Sequence, residues 1–269
     1  MGACSSKTAT ADSVQPKTDD KPVAASNGAA ADAKPAAEAD LSSAGLLASD
    51  EQLVSKKDEF AELAQKFNVP ASEETVAATK AALESHGFIV EVFDDAKAAL
   101  EYVTGVPKDG QSISSGGSRT LDELGYKDWA KNQTKFRDFK AEALKAEGTG
   151  DYASAMKLRK EGSMSDVYYS SVSAITKDGS LSWASLTSTR VTLNAGTLVL
   201  VAGTQKIVAD QAAADERLYQ WQLPIESARV RIVYKAPAST VNEVGTLCQV
   251  NPYAPKSVII VLVRGVFGY

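Results

Sequence analysis

Apolar positions recur along the chain with two different periods, and both begin only after residue 50. Leu53, Phe60, Leu63 and Phe67 lie on one face of a helix predicted over Glu51 to Phe67, which Pro70 breaks. A second helix opens at Ser72 as N-cap, with Glu73 and Glu74 in its first turn, and closes at His86-Gly87 with glycine as the C′ residue. Phe88 to Phe93 is β-rich, a short helix runs through Ala96 to Val103, and Gly105 to Gly110 is a turn cluster. Ile113 to Ser115 reads as a short strand. Further strands are expected over Asp166 to Ser170, Leu181 to Ala184, Thr197 to Ala202 and Ser257 to Arg264. Two of these, Thr197 to Val201 and Val258 to Val263, are nearly continuous apolar runs, as central strands covered on both faces require. A helix over Asp210 to Gln222 stops before Pro224, and Arg229 to Lys235 fits either a strand or a helix continued past that proline. The alternation predicts an α/β fold: a largely parallel sheet with helices on both faces.

Residues 126–162 read as a helical excursion within the domain 51–269, interrupted at Gly148-Thr149-Gly150. Its nine basic and six acidic residues alternate in sign, which describes a solvated helical face rather than a nucleic-acid arm. Residues 1–50 differ in kind. All 19 aromatics of the chain lie after Asp50, and the first 50 residues, rich in Ala, Ser, Asp, Lys and Pro, have too little apolar surface to offset chain entropy. They are expected to form a disordered tail.

Charge and composition mainly exclude. A net charge of −5 gives no electrostatic footprint for nucleic acid. No apolar run approaches the roughly 18 residues of a spanning helix, and no signal-peptide core is visible. Two cysteines and one histidine supply neither a metal cage nor a disulfide framework, and they fit a reducing, cytoplasmic setting. No metal or cofactor is implied.

The N-terminus carries a location signal. Met1-Gly2-Ala3-Cys4-Ser5-Ser6 fits the myristoylation pattern, with Gly2 as acceptor. One myristoyl chain binds membranes with an association constant of only about 10⁴ M⁻¹, and the acidic tail offers no polybasic patch. Cys4 supplies the second signal by palmitoylation, so a peripheral membrane position is expected.

Ile113-Ser-Ser-Gly116-Gly117-Ser118-Arg119-Thr120 is the most informative internal segment. A strand runs into two glycines and a helix follows, with Thr120 and Glu123 at the spacing of a capping box. Such a turn reads either as an anion-binding loop or as a plain capped turn. The spacings of the nucleoside-triphosphate and dinucleotide loops are absent. His86 reads as a helix-end residue, Cys248 as a buried free thiol, and the pairs Asp94-Asp95 and Asp122-Glu123 as capping groups.

With these pieces in order, the domain resembles the LUD family, named for lactate utilisation. The carrying segments are Phe88 to Val92, Ser115 to Gly125, Ser165 to Gly179, Arg190-Val191, Leu198 to Gly203, Lys206 to Val208 and Phe267-Gly-Tyr269. The resemblance, over about Ser72 to Tyr269, implies a variant of the ribose-phosphate isomerase and CoA-transferase fold, with ligands at strand ends. It also marks departures. Ser173 stands where members usually have Asn, and Gln205 where an Asn precedes the retained Lys206. Ser185 to Thr189 lacks the Asp, glycines and Asn of the family turn but keeps Thr187 and Arg190. The expected function is binding of a small anionic metabolite, accessory to lactate or other carboxylic-acid metabolism. Gly116, Gly117, Ser118, Thr187, Arg190 and Lys206 would line one cleft, with Arg119 at its rim. The alternatives are a non-catalytic membrane-tethered scaffold with a degenerate site, and an isomerase or transferase on phosphorylated or CoA-linked substrates. Protein partners and a catalytic residue are not indicated.

Overall fold

A computed structural model describes residues 57–185, 194–253 and 257–269, with side chains from Phe60 onward. The tail 1–50, including Gly2 and Cys4, lies outside the described residues, as do Thr187 and Arg190. The chain order is α1 (Lys57–Phe67), α2 (Glu73–Ser85), β1 (Ile89–Phe93), α3 (Ala96–Thr104), β2 (Ser112–Ser115), α4 (Arg119–Leu124), α5 (Tyr126–Asn132) and β3 (Arg137–Asp138). Then come α6 (Phe139–Gly148), α7 (Tyr152–Gly162), β4 (Val167–Ser171), β5 (Ala174–Thr176), β6 (Leu181–Ser185), β7 (Thr197–Gly203) and β8 (Ile207–Val208). The last elements are α8 (Gln211–Arg217), α9 (Leu223–Val233), β9 (Glu243–Leu247) and β10 (Ser257–Val263).

Six strands form a parallel sheet in the order β1-β10-β7-β4-β2-β3. The two continuous apolar runs are two of its four inner strands, β10 and β7, and their alternate residues feed two cores. Leu198, Leu200, Ala202, Val258, Ile260 and Leu262 pack with Val76 and Leu83 of α2. Val199, Val201, Ile259, Val261 and Val263 pack with α3 and α4 through Ala99, Val103, Leu121 and Leu124. Apolar positions on both faces of a strand require cover on both, so an uninterrupted Val/Leu/Ile run belongs at the centre.

Local signals act as read in several places. Ser72 Oγ accepts from the Thr75 N–H at 3.3 Å, and Asp95 Oδ1 accepts from Ala98 at 2.9 Å. His86 ends α2, and its Nδ1 lies 3.1 Å from Gly179 O, tying the helix end to the β5–β6 turn. The excursion contains the hairpin α6–α7, whose Gly162 leaves no room for a Cβ: it would lie 2.7 Å from Ser114 Oγ and 2.8 Å from Phe139 Cβ.

Other features differ from expectation. Leu181 to Ser185 is a strand, but of a second, four-stranded sheet ordered β8-β5-β6-β9. The helix from Gln211 does not stop before Pro224; a π-helical turn over Leu218–Gln222 carries it into α9, where Pro224 stands in the first turn. A proline that would clash with the carbonyl four residues back is accommodated where the helix start is already irregular. Arg229 to Val233 is therefore helical. Cys248 is exposed, not buried, just past the end of β9. Among the described residues no helix is long and apolar enough to cross a membrane.

Candidate functional site

The connections part between β2 and β4, which pair directly with Ser115 opposite Tyr169. After β2 the chain turns to the face where Leu121 and Leu124 pack, whereas after β4 it turns to the other face, where Val172 and Ile175 join the α2 core. Divergent crossovers mark the strand carboxyl ends here as the crevice position at which open α/β sheets receive ligands.

One wall is the glycine loop. The Gly116 N–H donates to Tyr169 O at 3.0 Å, continuing the ladder, while its carbonyl accepts from Lys140 Nζ at 2.9 Å. Burial lowers the Lys140 pKa, with Asp122 and Asp138 opposing, and burial raises that of Asp122, with Lys140 opposing. A Cβ on Gly117 would meet nothing within 4 Å, so the loop surface there is open. Ser118, not Thr120, caps α4: its Oγ accepts from Leu121 N at 3.2 Å. Glu123 does not close a capping box; it accepts from Arg119 Nε at 3.0 Å and from the Gly268 N–H at 2.6 Å. Arg119 is thus committed to Glu123, and the six-residue α4 offers little helix dipole, so the capped-turn reading describes this loop's own bonds better.

The charge in the crevice comes from the loop after β7. Lys206 is 2% exposed, and its Nζ donates to Thr120 Oγ1 at 2.9 Å, Ser171 Oγ at 3.1 Å and Val172 O at 3.1 Å. It therefore bridges the carboxyl ends of β7 and β4 to the first turn after the glycine loop.

Residues 265–269 lie over the same turn. Thr120 Oγ1 donates to Phe267 O at 3.2 Å, and Gln205 Nε2 donates to Phe267 O at 3.0 Å and Gly268 O at 3.2 Å. Gln205 is one methylene longer than Asn, which lets its amide reach this segment. Tyr269 OH bonds Glu226, which also holds Arg229 through two N–H bonds at 2.8 and 2.6 Å.

Arg217, at the end of α8, borders the turn after β4 and was not singled out by sequence. It is 1% exposed; Nε donates to Ser173 O at 3.2 Å and Nη1 to Phe67 O at 2.6 Å. Lys206 and Arg217 thus grip the successive carbonyls of Val172 and Ser173. Sequence offered no periodic signal for Arg217, because one arginine in a charged helix resembles any solvated residue. Lys140 and Ser171 were passed over, and Thr120 was read only as a cap, because their roles depend on contacts 24 to 86 residues away in sequence.

Of the site residues expected from sequence, Gly116, Gly117, Ser118 and Arg119 form the turn after β2, and Lys206 reaches the residue that follows it, Thr120. The described residues contain no group of three or more His, Cys, Asp or Glu arranged to hold a metal ion. A family model described as the LUD domain matches residues 76–263. No curated protein matches the chain. Among solved structures, the chain is similar to a DUF162 family protein from Deinococcus radiodurans, at 12% identity and a TM-score of 0.42, over 73% of this chain and 100% of that one.

Proposed function

Because the chain belongs to the LUD-domain family, which is linked to lactate utilisation, we propose that it binds a small anionic metabolite in the crevice between β2, β4 and β7. The carrying observation is the Lys206 ammonium, buried and 2.9 Å from Thr120, which brings a positive charge beside the Gly116–Ser118 loop. A cation held in a water-poor cleft attracts a carboxylate or phosphate more strongly than one in solvent. Arg190 and Thr187 complete this reading as further contacts. The tail serves as a two-chain acyl anchor through Gly2 and Cys4, placing the domain at a membrane surface.

A non-catalytic scaffold is the second reading, favoured by how Phe267 and Gly268 lie across Thr120. A thermal-shift series with hydroxy acids, sugar phosphates, nucleotides and CoA esters separates the two, since a ligand selective for the native state raises its stability. Binding predicts a shift with at least one class and its loss in Lys206→Met; a wild-type protein that responds to none of them is a scaffold.

A further inference from the structure

Resting on the reading of the crevice as a ligand site, we propose that Arg217 and Ser173 are its carboxylate-recognition residues, and that the ligand is a small monocarboxylate. Two of the three guanidinium nitrogens have structural bonds, to Phe67 O and Ser173 O. The third, Nη2, is buried and has no hydrogen-bond partner. Ser173 is 1% exposed, and its Oγ is likewise buried without a partner. The two residues are already joined, because Arg217 Nε bonds the Ser173 carbonyl. A role confined to tying α8 to α1 and to the β4–β5 turn accounts for Nε and Nη1 but not for the other two donors.

The chemistry selects the ligand. Nη2 carries two N–H donors and Ser173 one O–H, a set that matches acceptor oxygens, while the guanidinium charge repels a cationic molecule. Burial lowers the Arg217 pKa to about 10, so the group is still a cation at neutral pH. No carboxylate among the described residues forms an ion pair with it. A buried, unpaired charge is costly, and an anion offsets that cost. Trp221, four residues on, adds a third buried donor without a partner at Nε1, and its ring stacks on Phe67, whose carbonyl Arg217 holds. Arg217 and Ser173 are each 1% exposed, and so buried a position favours a ligand of few atoms over a bulky phosphorylated one.

The full chain is titrated with sodium acetate, sodium L-lactate and sodium phosphate at constant ionic strength, read by thermal shift and by the indole N–H resonances. Acetate and L-lactate should stabilise the wild type and move the Trp221 indole signal, identified with Trp221→Phe. Arg217→Lys, which keeps the charge and loses the planar fork, should weaken carboxylate binding by about tenfold or more. Ser173→Ala should weaken it several-fold while leaving the apo melting temperature unchanged or higher, because it removes a buried hydroxyl that has no partner. Wild-type affinity in both variants, with loss in Lys206→Met, overturns this assignment and leaves the crevice reading standing. Stabilisation by phosphate alone overturns the monocarboxylate class. A wild type that binds none of the three salts defeats both the crevice reading and this one. If Arg217→Lys does not fold, Ser173→Ala decides.

Discussion

Gly268→Ala is the sharpest probe of the packed crevice. Gly268 has φ +64, and a Cβ there would sit 2.4 Å from Thr120 Oγ1, 2.9 Å from Thr120 N and 3.3 Å from Thr120 Cα. Two of those atoms are backbone, and the third is held by Lys206 and Ser171, so the neighbour cannot rotate away. A left-handed backbone costs a non-glycine residue about 1 kcal/mol, and overpacking a filled site costs about 1–3 kcal/mol more. The sum, about 2–4 kcal/mol, corresponds to a fall of about 4–16 °C in Tm for a domain of this size. Detachment of residues 267–269 caps the loss, because it trades the clash for the bonds to Gln205, Glu123 and Thr120. Gly117→Ala is the internal control: it meets nothing within 4 Å and needs no positive φ, so it should be neutral or stabilise by up to about 1 kcal/mol. Circular-dichroism melts and urea titrations of both variants measure the difference. If Gly268→Ala melts within about 1 °C of wild type, the segment does not sit over Thr120 and the reasoning fails.

Asp166 accepts the Ser112 N–H and hydroxyl, each at 2.7 Å, and these bonds hold its carboxyl below the usual range. A depressed folded-state pKa adds stability above the unfolded value that is lost as pH falls through the folded one, so urea midpoints should drop less steeply in Asp166→Asn than in wild type from about pH 5 to about pH 2. Equal slopes would refute the link. For the tail, Gly2→Ala should leave the protein behind in liposome flotation after co-translational acylation, and Cys4→Ser should reduce retention to the marginal level of one chain. Unchanged flotation of both variants removes the anchor.

Elements whose cause is local were legible in the sequence. Ser72 and Asp95 act as caps because a cap needs only a neighbouring N–H. The central strands were legible because burial on both faces leaves a continuous apolar run, and no other position in a parallel sheet does. The strands β3, β5 and β8 were not, since two or three residues cannot show a period, and β9 was not, since Glu-Val-Gly-Thr-Leu does not alternate; the pairing of all four is supplied by partners far along the chain. Local spacing also misled at Thr120 and Glu123. Their separation fits a capping box, yet Phe267, Gly268 and Lys206 compete for the same groups, and those partners arrive only when β7 and β10 are in register. At the crevice, sequence could mark Lys206 and the glycine loop as unusual. Only the tertiary structure decided that Lys206 reaches Thr120, that Arg119 is spent on Glu123, and that Arg217 is buried against Ser173. Charge is visible in a sequence, but its partner and its dielectric surroundings are properties of the fold, and those determine what the charge can hold.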